Sequence, residues 1–128
     1  MQEVRVITPA TVANVVCGFD CLGFALSVPF DEMTVRRTDK PGIRIINHDK
    51  FGLPTDAERN VAGVAAAAML QKAGVSFGLE IEVTKHIMPG SGIGSSSASA
   101  AGAVVALNSL LDDRFSKLEL VDFAMEGE

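Results

Sequence analysis

The chain has 128 residues, a formal net charge of −5, 48% hydrophobic residues and 21% charged residues. This length and composition suit one compact domain with a buried core. The acidic balance argues against a nucleic-acid partner, because phosphate backbones require clustered Lys and Arg. No stretch reaches the ~18 apolar residues that span a bilayer, and the N-terminus MQEVRVITPA has no basic head followed by an apolar run. We therefore expect a cytoplasmic protein with no membrane partner.

Three or four strands are predicted in the first half of the chain. Residues 3–8 alternate between apolar and polar and predict a first strand. Residues 23–38 predict one or two strands with a break at Pro29, and residues 43–47 predict a short strand after a Lys-Pro-Gly turn signal. Between them, Cys17 and Cys21 suggest either a metal or redox pair or two small buried apolar residues. With no second Cys pair and no His nearby, we favour the latter in a reducing compartment.

Helices dominate the second half. Residues 61–74 are rich in alanine and predict a helix that stops at Gly74. Residues 77–85, FGLEIEVTK, predict a strand with one wet face, as in an antiparallel sheet. Residues 95–111 predict a buried helix, and a last helix begins at Ser116 with Glu119 completing a capping box. The order predicts one α+β domain over residues 1–128, with helices on one face of a mainly antiparallel sheet.

The stretch MPGSGIGSSSASAAG, residues 88–102, joins the clearest strand to a helix. A flexible tether would lead to nothing regular, whereas glycines at 90, 92 and 94 allow positive φ and close approach to a ligand. The N–H groups that begin the next helix, with serine hydroxyls at 95–97, are typical of a phosphate site. A close-packed turn without a ligand is the alternative. The loop holds no lysine for a Walker A motif, and its G-x-G-x-G spacing fits a dinucleotide fingerprint poorly.

Two segments carry a resemblance to a known family. PGSGIGSSSA, residues 89–98, resembles the phosphate loop of the GHMP kinases, P-x-x-x-G-L-x-S-S-A, with Ile93 for leucine and an additional serine at Ser97. TPATVANVVCGFDCLGFAL, residues 8–26, is similar to the start of the homoserine kinases within that superfamily, although Val12 replaces the usual serine. Residues 59–66 and 120–128 also resemble homoserine kinase segments. The resemblance implies the N-terminal domain fold of these kinases, which is related to the second domain of ribosomal protein S5.

The resemblance implies ATP as the phosphoryl donor, Mg²⁺ as cofactor and L-homoserine as acceptor. It assigns Asn14 and Asp20 to the substrate; the alternative is a turn residue for Asp20 and a helix cap or turn residue for Asn14. It assigns Ser96 and Glu128 to the metal, and for Glu128 the alternative is an ordinary terminal carboxylate. The nucleotide-binding residues implied are Asn60, Lys85, Pro89, Gly90, Ser91, Gly92, Ile93, Gly94, Ser95, Ser96 and Ser97. For Asn60 the alternative is a helix N-cap, and for Lys85 it is a solvated strand end.

The implied reaction converts L-homoserine to O-phospho-L-homoserine in threonine biosynthesis, mainly by positioning and charge neutralisation, with no catalytic residues beyond positioning groups. Homoserine kinases are about twice this length or more, so we expect a truncated chain that lacks the C-terminal domain and does not turn over alone. A non-catalytic nucleotide-binding module and another GHMP kinase, such as a mevalonate-pathway kinase, are the alternatives. The resemblance leaves a homodimer open.

Overall fold

The computed structural model describes residues 2–12, 23–48 and 51–128. The elements follow the predicted order of several strands, a helix, a strand and two helices, with three strands before the first helix. They are β1 (Glu3–Val12), β2 (Phe24–Thr38), β3 (Ile43–Asn47), α1 (Val61–Ala73), β4 (Gly78–Thr84), α2 (Ser95–Leu110) and α3 (Lys117–Gly127). Among the helices of these ranges, none is long and apolar enough to cross a bilayer.

The four strands form one sheet in the order β1-β2-β4-β3. Strand β2 runs antiparallel to both β1 and β4, whereas β3 runs parallel to β4. A parallel pair needs a crossover connection, and α1 supplies it between β3 and β4. The prediction of a mainly antiparallel α+β sheet is confirmed.

One face of the sheet is buried under the helices. Inward-facing residues of β2 and β4 join residues of α1 and α2 in the main core, which includes Met33, Val35, Ile81, Met69 and Leu107. Helix α3 adds no buried residue of its own and packs against α1 and α2. The predicted placement of the helices on one face is therefore confirmed, since the opposite face carries charged side chains.

The exposed face of the sheet carries a network of ion pairs centred on Arg36. Its guanidinium reaches Glu3 on β1 at 3.1 Å, and Glu80 and Glu82 on β4 at 3.0 and 2.7 Å. The hydrogen bond from Arg36, followed by one from His48, holds the pKa of Glu82 below its ordinary value, and Glu82 in turn raises the pKa of Arg36. Arg36 thus links three neighbouring strands across the face that water reaches.

The first strand is longer than predicted. It continues from Thr8 through Pro9 to Val12, because β1 is an edge strand, where a residue without an N–H group is tolerated. The predicted break at Pro29 does not divide β2, which is one strand. Instead, the pairing of β1 with β2 shifts register between Pro9 and Thr11.

The predicted helix ends are confirmed. Gly74 closes α1 in the left-handed region, at φ 69°, and donates its N–H to Leu70 and Gln71 carbonyls. Ser116 caps α3, and its hydroxyl accepts the Glu119 N–H while the Glu119 carboxylate accepts the Ser116 N–H. These local signals depend on side chains a few residues apart, which explains why they can be read from sequence.

Candidate functional site

The topology brings two helix N-termini to the same end of the sheet. Because α1 connects the parallel strands β3 and β4, it begins at the end of the sheet that holds the C-termini of both strands. At that same end, the chain leaves β4 and runs through residues 88–94, which we call the glycine loop, to the first turn of α2. The positive ends of both helix dipoles therefore lie near this loop.

A cavity of about 300 Å³ lies between these elements. Eight of the eleven predicted nucleotide-binding residues line it: Asn60, Lys85, Pro89, Gly90, Gly92, Gly94, Ser95 and Ser96. Five further lining residues were not predicted: Leu53, Pro54, Arg59, Val61 and Ser99. The polar side chains of the lining come from α2, from Lys85 and from the two residues before α1, and the apolar side chains include Leu53, Pro54 and Val61.

The glycine loop has the backbone that its composition predicts. Gly90, Gly92 and Gly94 all have positive φ, at 76°, 81° and 79°. Gly94 precedes α2 and has no side chain to accept from the N–H groups of the first turn, which leaves them for an anion. A Cβ at Gly94 would overlap the Thr11 hydroxyl, so α2 begins in close contact with β1. The Thr11 N–H also donates to the Ile93 carbonyl at 2.9 Å.

Three predicted residues do not line the cavity. The Ser91 N–H closes a turn onto the Met88 carbonyl at 3.2 Å. Ile93 packs against a second apolar cluster that includes Ile87. Ser97 lines a different cavity, of about 310 Å³, between β1 and α2. The loop therefore alternates between residues that line the cavity and residues that attach it to the rest of the domain.

Lys85 is buried rather than solvated, so the solvated strand end considered for it is wrong. Only 5% of the residue is exposed. Its ammonium donates to Asp31 Oδ2 at 2.5 Å, to the Ser95 carbonyl at 2.8 Å and to Ser99 Oγ at 3.0 Å. Although Lys85 borders the cavity, all three of its donors are engaged within the protein.

Asp31 is the main residue that sequence reasoning missed. Its second carboxylate oxygen accepts the N–H groups of His86 at 2.7 Å and Ile87 at 3.0 Å, directly before the glycine loop. Asp31 is 1% exposed and alternates with Met33 and Val35 on the inward face of β2. A carboxylate in an otherwise apolar inward register was the available signal, since buried carboxylates are rarely left unpaired.

The two predicted metal ligands lie together. Ser96 Oγ donates to Glu128 Oε2 at 3.0 Å. Glu128 reaches this point because α3 ends against the start of α1: a Cβ at Gly127 would lie 2.6 Å from the Val61 carbonyl oxygen. The described residues hold no group of three or more His, Cys, Asp or Glu side chains suited to a metal. The hydroxyl and carboxylate fit a hard cation that takes most of its remaining ligands from water and phosphate.

Asn60 caps α1 and lines the cavity. Its Oδ1 accepts the N–H groups of Ala62 at 3.0 Å and Gly63 at 3.4 Å, and its Nδ2 donates to the Pro54 carbonyl at 2.7 Å. The N-cap considered for Asn60 is therefore present. The same side chain also fixes the preceding segment, which forms one wall of the cavity.

The charges around the cavity are unevenly paired. The ammonium of Lys85 faces the Asp31 carboxylate, so its charge is compensated. Arg59 also lines the cavity and is exposed, and within residues 2–12, 23–48 and 51–128 its guanidinium makes no ion pair. The predicted substrate residues Asn14 and Asp20, like Cys17 and Cys21, lie outside the described residues and stay predictions.

The family follows from the sequence of this region. Residues 60–128, which contain α1, β4, the glycine loop, α2 and α3, match the model of the GHMP kinases N terminal domain. The chain belongs to the GHMP kinases. Over its whole length, this GHMP kinase chain is 43% identical to a homoserine kinase of Methanococcus vannielii and 44% identical to one of Xanthomonas campestris. It spans 43% and 40% of those two proteins, so it corresponds to about two fifths of their length.

Solved structures agree with the family. The crystal structure of homoserine kinase from Cytophaga hutchinsonii is 47% identical and superposes with a TM-score of 0.94, over all of this GHMP kinase chain and 41% of that protein. The mevalonate kinase of Methanococcus jannaschii, at 18% identity and a TM-score of 0.75, shares the fold. The superposition covers 98% of this chain and 46% of the mevalonate kinase chain. The predicted family and fold are confirmed.

Proposed function

We propose that this chain forms the ATP-binding part of a kinase that phosphorylates the side-chain hydroxyl of L-homoserine. The cavity where the glycine loop meets two helix N-termini carries this proposal, and the similarity to homoserine kinases over the whole chain supports the substrate. In the reaction, the homoserine hydroxyl oxygen bonds to the γ-phosphorus of ATP and releases its proton. The bond to the bridging oxygen of ADP breaks, and the products are O-phospho-L-homoserine and ADP.

The glycine loop and the first turn of α2 would hold the triphosphate. The backbone N–H groups of the first turn, which Gly94 cannot cap because it has no side chain, would donate to phosphate oxygens. Ser95 and Ser96, which line the cavity, would add polar contacts. Because the charge of Lys85 is already compensated by Asp31, Arg59 is the better placed cation for the outer phosphates. Leu53 and Pro54, on the opposite wall, would pack against the adenine near Asn60.

Ser96 and Glu128 would hold Mg²⁺. Their side-chain oxygens are the hard donors that Mg²⁺ accepts, and their 3.0 Å separation allows both to contact one ion. The ion would neutralise charge on the β- and γ-phosphates. The residues of this chain would orient the triphosphate and exclude water, while Asn14 and Asp20 would bind the polar groups of homoserine.

We place this reaction in the cytoplasm and in threonine biosynthesis, in line with the homoserine kinases that the chain resembles. A second function is nucleotide binding without turnover. It is favoured by the length of the chain, which is about two fifths of the homoserine kinases it matches. A mevalonate-pathway kinase is the third candidate; it rests on the shared fold alone.

The test measures ADP release and ATP binding in parallel. ADP release by the 128-residue chain is measured with Mg-ATP and one of four additions: L-homoserine, mevalonate, galactose or no acceptor. The Cytophaga hutchinsonii homoserine kinase serves as the positive control. ATP binding to the 128-residue chain is measured by calorimetry. Release that depends on homoserine supports the kinase, and binding without release supports the nucleotide-binding module. ADP release only with mevalonate would indicate mevalonate in place of L-homoserine as the acceptor. The absence of both ADP release and ATP binding would refute the proposal.

A further inference from the structure

The buried pair of Asp31 and Lys85 is connected to both ends of the glycine loop. The side chains of Asp31 and Lys85 are 1% and 2% exposed. A buried ion pair is stable only when its remaining lone pairs and protons are also satisfied. Here Asp31 accepts the N–H groups of His86 and Ile87, before the loop. Lys85 donates to the carbonyl of Ser95, after the loop.

Hydrogen bonds also connect this region to side chains at the start of α2. Lys85 donates to Ser99 Oγ at 3.0 Å, and the Ser95 hydroxyl donates back to the Ile87 carbonyl at 3.1 Å. The segment between these anchors contains three glycines with positive φ, which lose more conformational entropy on ordering than other residues. Fixing both ends of such a loop before a ligand arrives reduces the entropy that the ligand must overcome.

We propose that Asp31 is a positioning residue for the triphosphate, acting through Lys85 and the backbone at residues 86–87. This inference rests on the proposed nucleotide site. Asp31 does not line the cavity, so we expect it to act without contacting the nucleotide. Stability alone does not explain the pair, because well-packed apolar side chains often replace a buried ion pair without loss. What apolar side chains could not reproduce is the set of hydrogen bonds to both ends of the loop.

The principal experiment uses the charge-neutral double variant Asp31→Asn/Lys85→Met. Methionine keeps most of the lysine volume, and asparagine keeps an oxygen for the N–H groups of residues 86 and 87, so no buried charge is left unpaired. Amide hydrogen exchange of the intact 128-residue chain is measured by mass spectrometry. We expect exchange in residues 88–98 to be about 10-fold faster, as for the loss of one hydrogen bond to a charged group. Exchange in α1 residues 65–73 stays unchanged.

The matched control is Arg36→Met/Glu82→Gln, which removes an ion pair from the open face of the same sheet. It leaves exchange in residues 88–98 as in the unmodified chain. A second variant, Ser99→Ala, removes one Lys85 partner without disturbing the buried charges, and keeps the test decisive if the double variant does not fold. We expect a smaller increase in exchange over the same residues.

Binding of Mg-ATP, measured by calorimetry on the same proteins, separates this inference from the proposed function. Faster exchange together with about 10-fold weaker ATP binding supports positioning. Unchanged exchange in residues 88–98 overturns the inference whatever the affinity, and so does faster exchange with an unchanged ATP Kd. If the unmodified chain binds no ATP, the proposed nucleotide site fails and positioning for the triphosphate falls with it.

Discussion

The hydroxyl of Ser96, in the first turn of α2, donates to the carboxylate of Glu128, which follows the last turn of α3, at 3.0 Å. The two residues are separated by 32 positions in sequence, and the close packing of Gly127 on Val61 brings them together. If these two oxygen atoms hold Mg²⁺ beside the cavity that Ser96 lines, both should contribute to Mg²⁺-dependent binding. This relationship gives the first prediction.

Ser96→Ala and Glu128→Gln should each weaken Mg²⁺-dependent ATP binding by about 10-fold, because each removes one oxygen ligand or its charge. The measurement is calorimetric titration of ATP with Mg²⁺ and with EDTA. Binding in EDTA should change little in either variant. Ser109→Ala in the last turn of α2 and Glu126→Gln in α3 are the matched controls. Unchanged affinity in both test variants would remove the metal assignment.

Asn60→Ala should lower the free energy of unfolding by about 1 kcal/mol, because α1 loses its N-cap. Asn60→Asp keeps the oxygen that accepts from Ala62 and Gly63 but loses the donor to the Pro54 carbonyl. We therefore expect a smaller loss in Asn60→Asp, since Asp is also a favourable N-cap. Urea unfolding followed by circular dichroism measures both. Equal losses in the two variants would mean that the cap does not stabilise α1.

Gly63→Ala should destabilise the chain, although alanine normally favours a helix over glycine by about 1 kcal/mol. A Cβ at Gly63 would overlap the Ala57 carbonyl oxygen and lie 2.8 Å from Ala57 Cα, and such overpacking costs about 1–3 kcal/mol. The matched control is Ala67→Gly at an exposed position of α1, which reports helix propensity alone. Thermal and urea unfolding measure both variants. A stabilised Gly63→Ala variant would show that the preceding segment does not pack against α1.

Glu82 should contribute to stability at neutral pH and lose that contribution in acid. Hydrogen bonds from Arg36 and His48 lower the pKa of Glu82 in the folded chain below its ordinary value of 4.5. The unfolded chain therefore binds this proton at a higher pH than the folded chain does. The stabilising contribution is complete above the ordinary pKa and declines as the pH falls through the lowered one.

The measurement compares urea unfolding of the unmodified chain and Glu82→Gln between pH 7 and pH 3. The unmodified chain should be more stable at pH 7, and the difference should shrink below pH 4.5. Glu126→Gln, on α3, serves as the control. A difference that grows in acid would contradict the predicted direction.

Local signals made much of this fold predictable from sequence. Gly74 and the Ser116 capping box mark helix ends through interactions within a few residues, and the alternation in residues 77–85 identifies the buried face of β4. The end of β1 is not predictable locally, because proline usually interrupts a strand and Pro9 is tolerated only through the edge position of β1 in the assembled sheet.

The candidate site divides in the same way. The glycine loop is continuous in sequence, so its positive φ values could be anticipated from composition. The partnership of Lys85 with Asp31 could not, because 54 positions separate the two residues and only the pairing of β2 with β4 brings them together. Arg59, Leu53 and Pro54 were missed for the same reason, since the crossover through α1 places them beside the loop.

The two faces of the sheet should respond differently to ionic strength. Dissolved ions reach the ion-pair network around Arg36 on the open face and screen its electrostatic attraction, because the Debye length is only about 8 Å at physiological salt. They do not reach the pair of Asp31 and Lys85 beneath the helices. Concentrated salt should thus weaken the ion pairs that help to hold β1 to β2, while the hydrogen bonds from Asp31 and Lys85 to the two ends of the glycine loop persist.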